Sequence, residues 1–184
     1  MKKKKLQLID DDIYTIRRLA WMRAPSLILG LIMGFALSFV TSKFEQVLEK
    51  NISVAFFIPF IVYMADAVGT QTQAIYTRDL GNGTARFRTY LFKESGLGII
   101  MGLFFGCVTF LIVTTWFQSM LLATAVSLAT FFAISTAPVV AILVTEVLQL
   151  ENQDPAIGAG PLATVIQDAV SILVYGAIAS WILL

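Results

Sequence analysis

Asp168 lies in the run DPAIGAGPLATVIQDAVSILVYG, within the last long apolar stretch of the chain. A carboxylate at the centre of a bilayer costs about 2.5–3.5 kcal/mol on insertion scales, so its retention points to a use. Pro161, Thr164, Ser171 and Tyr175 surround it at intervals of three and four residues, the spacing of one helical face. Pro161 lacks a backbone donor and frees the carbonyl one turn earlier, near Ile157. A second such stripe, Pro59, Asp66, Thr70, Gln73 and Thr77, runs through an earlier apolar stretch. Both stripes must face protein or water, because lipid would leave their polar groups unsatisfied. Carboxylate, hydroxyl, amide and carbonyl oxygens together suit a hard cation: magnesium, calcium, manganese or a monovalent ion such as sodium. Magnesium keeps its waters and is satisfied by one or two carboxylates, which fits a sparse acidic site.

The rest of the composition narrows the chemistry. The chain has no histidine and a single cysteine, Cys107, inside an apolar stretch. That excludes an intramolecular disulfide, a thiolate cluster for zinc, and the usual proton shuttle. No resident cofactor is expected, and a net charge of +1 gives no reason to expect a nucleic-acid partner. Of the 184 residues, 58% are hydrophobic and 14% charged, and mean hydropathy is +0.81. A soluble domain would carry about 25% charged residues. The chain is therefore an all-α integral membrane protein.

Five apolar blocks are long enough to span, at about 20 residues per helix. They cover roughly Ala24–Thr41, Ile52–Tyr76, Leu91–Thr115, Met120–Leu148 and Ala156–Leu184. Residues 1–23 are expected to form a cytoplasmic arm and 24–184 a five-helix transmembrane unit. The connections SKFEQVLEKN, TRDLGNGTARFRTY, WFQS and QLENQDP are short, with no linker or second domain. Lys2 to Lys5, Arg17, Arg18 and Arg23 precede the first span, and Arg78, Arg86, Arg88 and Lys93 surround the second–third connection. By the positive-inside rule the N-terminus is cytoplasmic and the C-terminus outside, as expected in a bacterial inner membrane. The N-terminal lysines also suit anionic lipid headgroups. Leu6 to Leu19 has the spacing of an amphipathic surface helix, or else forms a solvated lead-in.

On this topology Asp66 lies about 21 Å from the outer end of its span, and Asp168 about 17 Å from the inner end of its own, at about 1.5 Å per residue. Both depths fall near the middle of a hydrocarbon core about 30 Å thick. Two carboxylates at one depth, without a nearby basic side chain, need a cation or a shared proton. Nearer the cytoplasmic face, Glu146, Glu151, Asp154, Asp79 and Glu94 flank two connections and could concentrate cations there. Glu146 is the most pointed of these, being inside an apolar helix, while Asp154 before Pro155 also suits a helix N-cap. Ordinary solvated charge with arginine partners is the alternative for Asp79 and Glu151. Gly30–Gly34, Gly98–Gly102 and Gly102–Gly106 are small-residue pairs of the kind that let membrane helices pack closely.

The run Asp154-Pro155-Ala156, Gly160-Pro161, Thr164 and Asp168 resembles the DPA…GP..T..D pattern in the last membrane helix of MgtE-type magnesium transporters. Pro59 and Gly69-Thr70-Gln71 are similar to that family's P…GGNxGTQ segment, and Lys93-Glu94, the glycine-rich third span and Pro138 agree as well. The resemblance runs from about Arg23 to Leu184. It implies a homodimer of five-helix subunits, with the ion path at the dimer interface lined by the second and fifth spans. Asp168 would then be the central site for largely hydrated magnesium, contributed twice. The chain departs from the pattern at Ala65-Asp66-Ala67, where the family has GGN. Asp66 is therefore an additional cation ligand, a coupling group for sodium or protons, or a protonated core residue. The family's amino-terminal domain and CBS pair have no counterpart in the short N-terminal arm, which would leave gating to the membrane helices, the arm or another protein.

The expected metal ligands are thus Asp168, Asp66 and Thr164, with Thr70, Gln73, Pro161 and Ser171 lining the path and Glu146 and Asp154 at its cytoplasmic mouth. The expected function is divalent-cation transport, foremost of magnesium, and not enzymatic. The expected partners are a second copy, membrane lipid and the metal ion. Two other classes compete. Paired midplane aspartates also suit an intramembrane aspartyl protease, although the GxGD and PAL signatures of such enzymes are absent near Asp168. A non-transporting membrane scaffold would use the small-residue faces for partner helices.

Overall fold

Long apolar blocks with few internal breakers favour helices, the one open-ended structure that satisfies its own backbone in lipid. The computed structural model describes residues 13–150 and 155–184, without the side chains of Leu150 and 155–161. In chain order the helices are α1 (Ile16–Ser42), α2 (Glu45–Lys50), α3 (Ser53–Gly81), α4 (Phe87–Phe117), α5 (Met120–Leu150) and α6 (Pro155–Leu183). There is no strand among the described residues. Five of the six helices are long and apolar enough to cross a membrane, and the chain is an all-α membrane protein.

The helices overrun the apolar blocks that announce them. α1 begins at Ile16 and α4 at Phe87, several residues before the hydrophobic stretches themselves. The hydrocarbon core dictates where apolar side chains begin, but the backbone ladder continues into the headgroup zone as long as nothing interrupts it. Arg17, Arg18 and Arg23 therefore lie inside α1, continuous with the span. Residues 1–12, and with them the first half of the amphipathic segment expected over Leu6 to Leu19, lie outside the described residues.

The connection after α1 differs from expectation, because it holds a helix. Phe44 and Val47 are one turn apart, and their burial explains α2. Val47 is fully buried, in the same core cluster as Val54 and Tyr175, and the Phe44 ring lies against Gly176. Six residues cannot span a bilayer, so hydropathy alone gives α2 no signal.

α5 is the central helix. Ala129, Ala133, Ala137 and Ala141, four residues apart, are at most 1% exposed, and α3, α4 and α6 all pack on α5. Small side chains there allow close backbone approach. α4 answers with Gly98, Gly102 and Gly106, which meet Ser135, Phe131 and Ser127 of α5. The glycine pairs of the third span thus serve packing within one subunit. α1 is the opposite case: it has no buried residue and packs on α6, with Gly30 near Val165. Its other faces present Leu27, Ile28, Leu31, Ile32 and Phe35 outward.

Candidate ion site between two antiparallel helices

Two contacts set the register of α3 against α6. Near one end the Tyr175 hydroxyl donates to the Val54 carbonyl at 2.8 Å. In the middle the Thr164 hydroxyl hydrogen-bonds the Asp66 carboxylate. The numbering rises along α3 while it falls along α6, so the two helices are antiparallel. Asp66 lies 13 residues after Ser53 and 15 before Gly81. Asp168 lies 13 residues after Pro155 and 15 before Leu183. Both carboxylates therefore sit at the middle of their helices, and they are close enough to interact as charges.

The oxygen atoms here are incompletely satisfied. Among the described residues, Asp168 Oδ1 and Ser171 Oγ are buried side-chain atoms with no hydrogen-bond partner, and Ser171 is only 1% exposed. A buried unpaired polar atom is costly in an apolar medium, so such atoms mark strain, function or a missing ligand. The two carboxylates and the Thr164 hydroxyl that come together here are hard oxygen donors, of the kind an alkaline-earth ion or manganese takes.

Expected residues divide into three groups by position. Asp66, Thr164 and Asp168 meet on the α3–α6 seam. Thr70, exposed, and Gln73, half-buried, continue the Asp66 face toward the Gly81 end of α3, and Pro59, also exposed, lies toward the other end. The opposite face of α3, with Ile61, Ala65, Val68, Thr72 and Tyr76, is buried in the bundle. The polar stripe of α3 is thus only partly covered within a single chain, and is most open at Pro59 and Thr70. The α6 stripe instead turns inward at its far end, where Ser171 and Tyr175 are buried. Pro161 belongs to α6, but its side chain lies outside the described residues, as do Asp154 and Glu151 entirely.

The remaining acids at that end of the bundle already have partners. Tyr76 Oη donates to Glu146 Oε2 at 2.5 Å, and Thr72 Oγ1 donates to Glu94 Oε2 at 2.8 Å. Tyr90 donates to the Asp79 carboxylate, which also pairs with Arg78 Nε at 2.9 Å, and the Tyr76 and Tyr90 rings lie 4.9 Å apart. Asp79 thus has the arginine partner that ordinary surface charge would have. Glu94 and Glu146 clasp the buried side of α3 to α4 and α5. Among the described residues no group of three or more histidine, cysteine or acidic side chains could hold a metal.

Sequence reasoning missed Thr72, Tyr76 and Gln167. Gln167 is 3% exposed, and its Oε1 stands 2.6 Å from where a Cβ on Gly69 would be. Glycine at that position leaves room for the amide against α3, and a Cβ there would push the Gln167 side chain aside. The signal was available in Gly69, Thr72 and Tyr76, spaced by three and four residues on the face opposite the stripe.

Comparison with known proteins shows the family. Residues 58–178 match a family described as "MgtE: Divalent cation transporter". The chain is 29% identical over 164 residues to "Magnesium transporter MgtE" of Bacillus subtilis, covering 88% of this chain and 36% of that protein. The protein of the same description from Enterococcus faecalis is 28% identical over 161 residues, covering 86% of this chain and 36% of its own length. That of Thermus thermophilus is 28% identical over 171 residues, covering 89% and 37%. The chain spans little more than a third of the curated relatives it matches. The match takes in α4 and α5 whole and most of α3 and α6, including Asp66, Thr164 and Asp168, and the chain belongs to the MgtE family of divalent cation transporters.

Proposed function

We propose that this chain moves divalent cations, foremost magnesium, across a membrane, along a path between two copies of itself. The observation that carries the reading is the meeting of Asp66, Thr164 and Asp168 at the middle of two spans, with buried oxygens left unpaired. The incompletely covered polar stripe of α3 supports the second copy. A face bearing Asp66, Thr70 and Gln73 cannot rest against lipid, and a twofold partner presenting the same stripe would enclose a polar path between the two subunits. The relatives are described as magnesium transporters, which supports magnesium as cargo and gives no support to the protease reading of the paired aspartates.

In this reading Asp168 is the central ligand, contributed once by each subunit. Thr164 positions Asp66, Thr70 and Gln73 line the path toward the cytoplasm, and Pro161 and Ser171 flank it on α6. Glu146, fastened to Tyr76, holds the inner end of α3 in place, and Asp154 adds charge at the mouth. The basic start of α1, with Arg17, Arg18 and Arg23, faces the cytoplasm and anionic lipid, and the five spans form the transport unit of a bacterial inner-membrane protein. Its N-terminus is inside and its C-terminus outside, in keeping with the basic residues before α1 and around the α3–α4 connection.

Cross-linking tests the shared path. Thr70→Cys in a Cys107→Ala background should give a covalent dimer with a short bifunctional thiol reagent in native membranes, and magnesium should slow the reaction. Phe92→Cys, on an exposed position of α4, should stay monomeric. Equal cross-linking at both positions, or none at Thr70→Cys, would remove the interface from the account.

A further inference from the structure

The α3–α6 seam brings a second carboxylate to the site within one subunit, and this bears on which ions it accepts. Magnesium dehydrates reluctantly and needs near-ideal octahedral geometry, so a site offering one carboxylate takes it with most waters in place. Here Asp66 comes from α3 and Asp168 from α6. The Thr164 hydroxyl fixes Asp66, and Asp168 Oδ1 is buried with no hydrogen-bond partner. Ser171, its Oγ likewise unpartnered, is one turn further along α6. Oxygens so placed can replace part of an ion's water shell. The gain is largest for a divalent ion that sheds water more readily than magnesium yet accepts six oxygens in similar geometry. Calcium takes 6–8 oxygens at about 2.3–2.6 Å in a looser, larger shell than the octahedron magnesium demands. Manganese suits carboxylate, hydroxyl and water ligands.

We propose that Asp66 is a specificity-determining residue that makes this site accept manganese alongside magnesium, by direct carboxylate contact from two helices of one subunit. The inference rests on the ion site proposed above. Its test is a binding measurement, so it does not depend on any variant still transporting. Purified protein is titrated with Mn2+, whose electron paramagnetic resonance signal falls on binding, and the bound ion is then displaced with Mg2+. Wild type should bind Mn2+ at a site that Mg2+ empties only in excess. Asp66→Asn should lower the excess of Mg2+ needed by about tenfold, as expected if one direct carboxylate contact is removed. Asp66→Ser, a smaller replacement, serves the same purpose if the asparagine variant does not fold. A displacement ratio unchanged to within about twofold, or no displaceable Mn2+ in wild type, overturns the inference. Asp168→Ala separates the two levels. Loss of Mn2+ binding in that variant keeps the site where it is proposed, whereas retained binding together with normal magnesium flux would sink the site itself.

Discussion

Replacing Asp168 with alanine should abolish magnesium uptake in cells that lack other magnesium importers, while leaving the protein folded and at normal abundance. The carboxylate sits 13 residues into a 29-residue helix, and one of its oxygens is buried with no partner. A charge in that situation weakens the fold unless something compensates it, so its removal should leave thermal stability unchanged or raised. Loss of transport with retained stability is the signature of a functional charge. Structural charges show the reverse, because deleting them strands a partner. Removing even the outer partners of a metal ligand commonly costs 10–100-fold, and removing the ligand itself should cost at least about 100-fold in uptake rate. Isotope uptake, together with a melting curve of the purified variant in detergent, reads both quantities. Wild-type uptake by Asp168→Ala would refute the assignment of the site.

Gly102→Val should produce the largest loss of stability of any single change on the α4–α5 seam. A Cβ at Gly102 would run into Ser135 Oγ and stand 2.7 Å from the Phe131 carbonyl oxygen. The serine can rotate away, but the carbonyl belongs to the backbone of α5 and cannot. Helix α4 must therefore shift outward, and the fit at Gly98 and Gly106 goes with it. Overpacking of this kind costs about 1–3 kcal/mol, and a valine against fixed backbone belongs at the upper end. The control lies on the same helix: a Cβ at Gly96 would meet nothing within 4 Å. Gly96→Val should stay within about 0.5 kcal/mol of wild type, as exposed substitutions usually do. Melting temperatures in detergent compare the two directly, and equal shifts would show that close α4–α5 approach is not what the glycines provide.

The contrast between what hydropathy and spacing reveal and what they hide is physical. The five spans are legible because the hydrocarbon core imposes a length on apolar runs. Asp66, Thr164 and Asp168 are legible for the opposite reason: polar groups in such runs are too costly to be incidental. Their meeting could be anticipated because both stripes reach the same depth. α2 could not be read, since six residues held by Phe44 and Val47 leave no periodic trace. Nor could the clasp of Thr72 with Glu94 and Tyr76 with Glu146, which joins residues 22 and 70 positions apart. Glu146 looks from sequence like a free acid at a pore mouth, and only its hydroxyl partner on α3 gives it a holding role. Ser171 and Tyr175 share the Asp168 stripe by spacing, yet both are buried. The periodicity identifies a face without saying what covers it.

The purified 184-residue chain in liposomes offers the most direct test of divalent-cation transport through the α3–α6 site. With a magnesium-sensitive dye trapped inside and Mg2+ added outside, dye response should rise in proportion to the protein reconstituted, and liposomes carrying Asp168→Ala should match empty ones. Folded wild-type protein that admits Mg2+ no faster than bare lipid, or an alanine variant that conducts as well as wild type, would contradict the account.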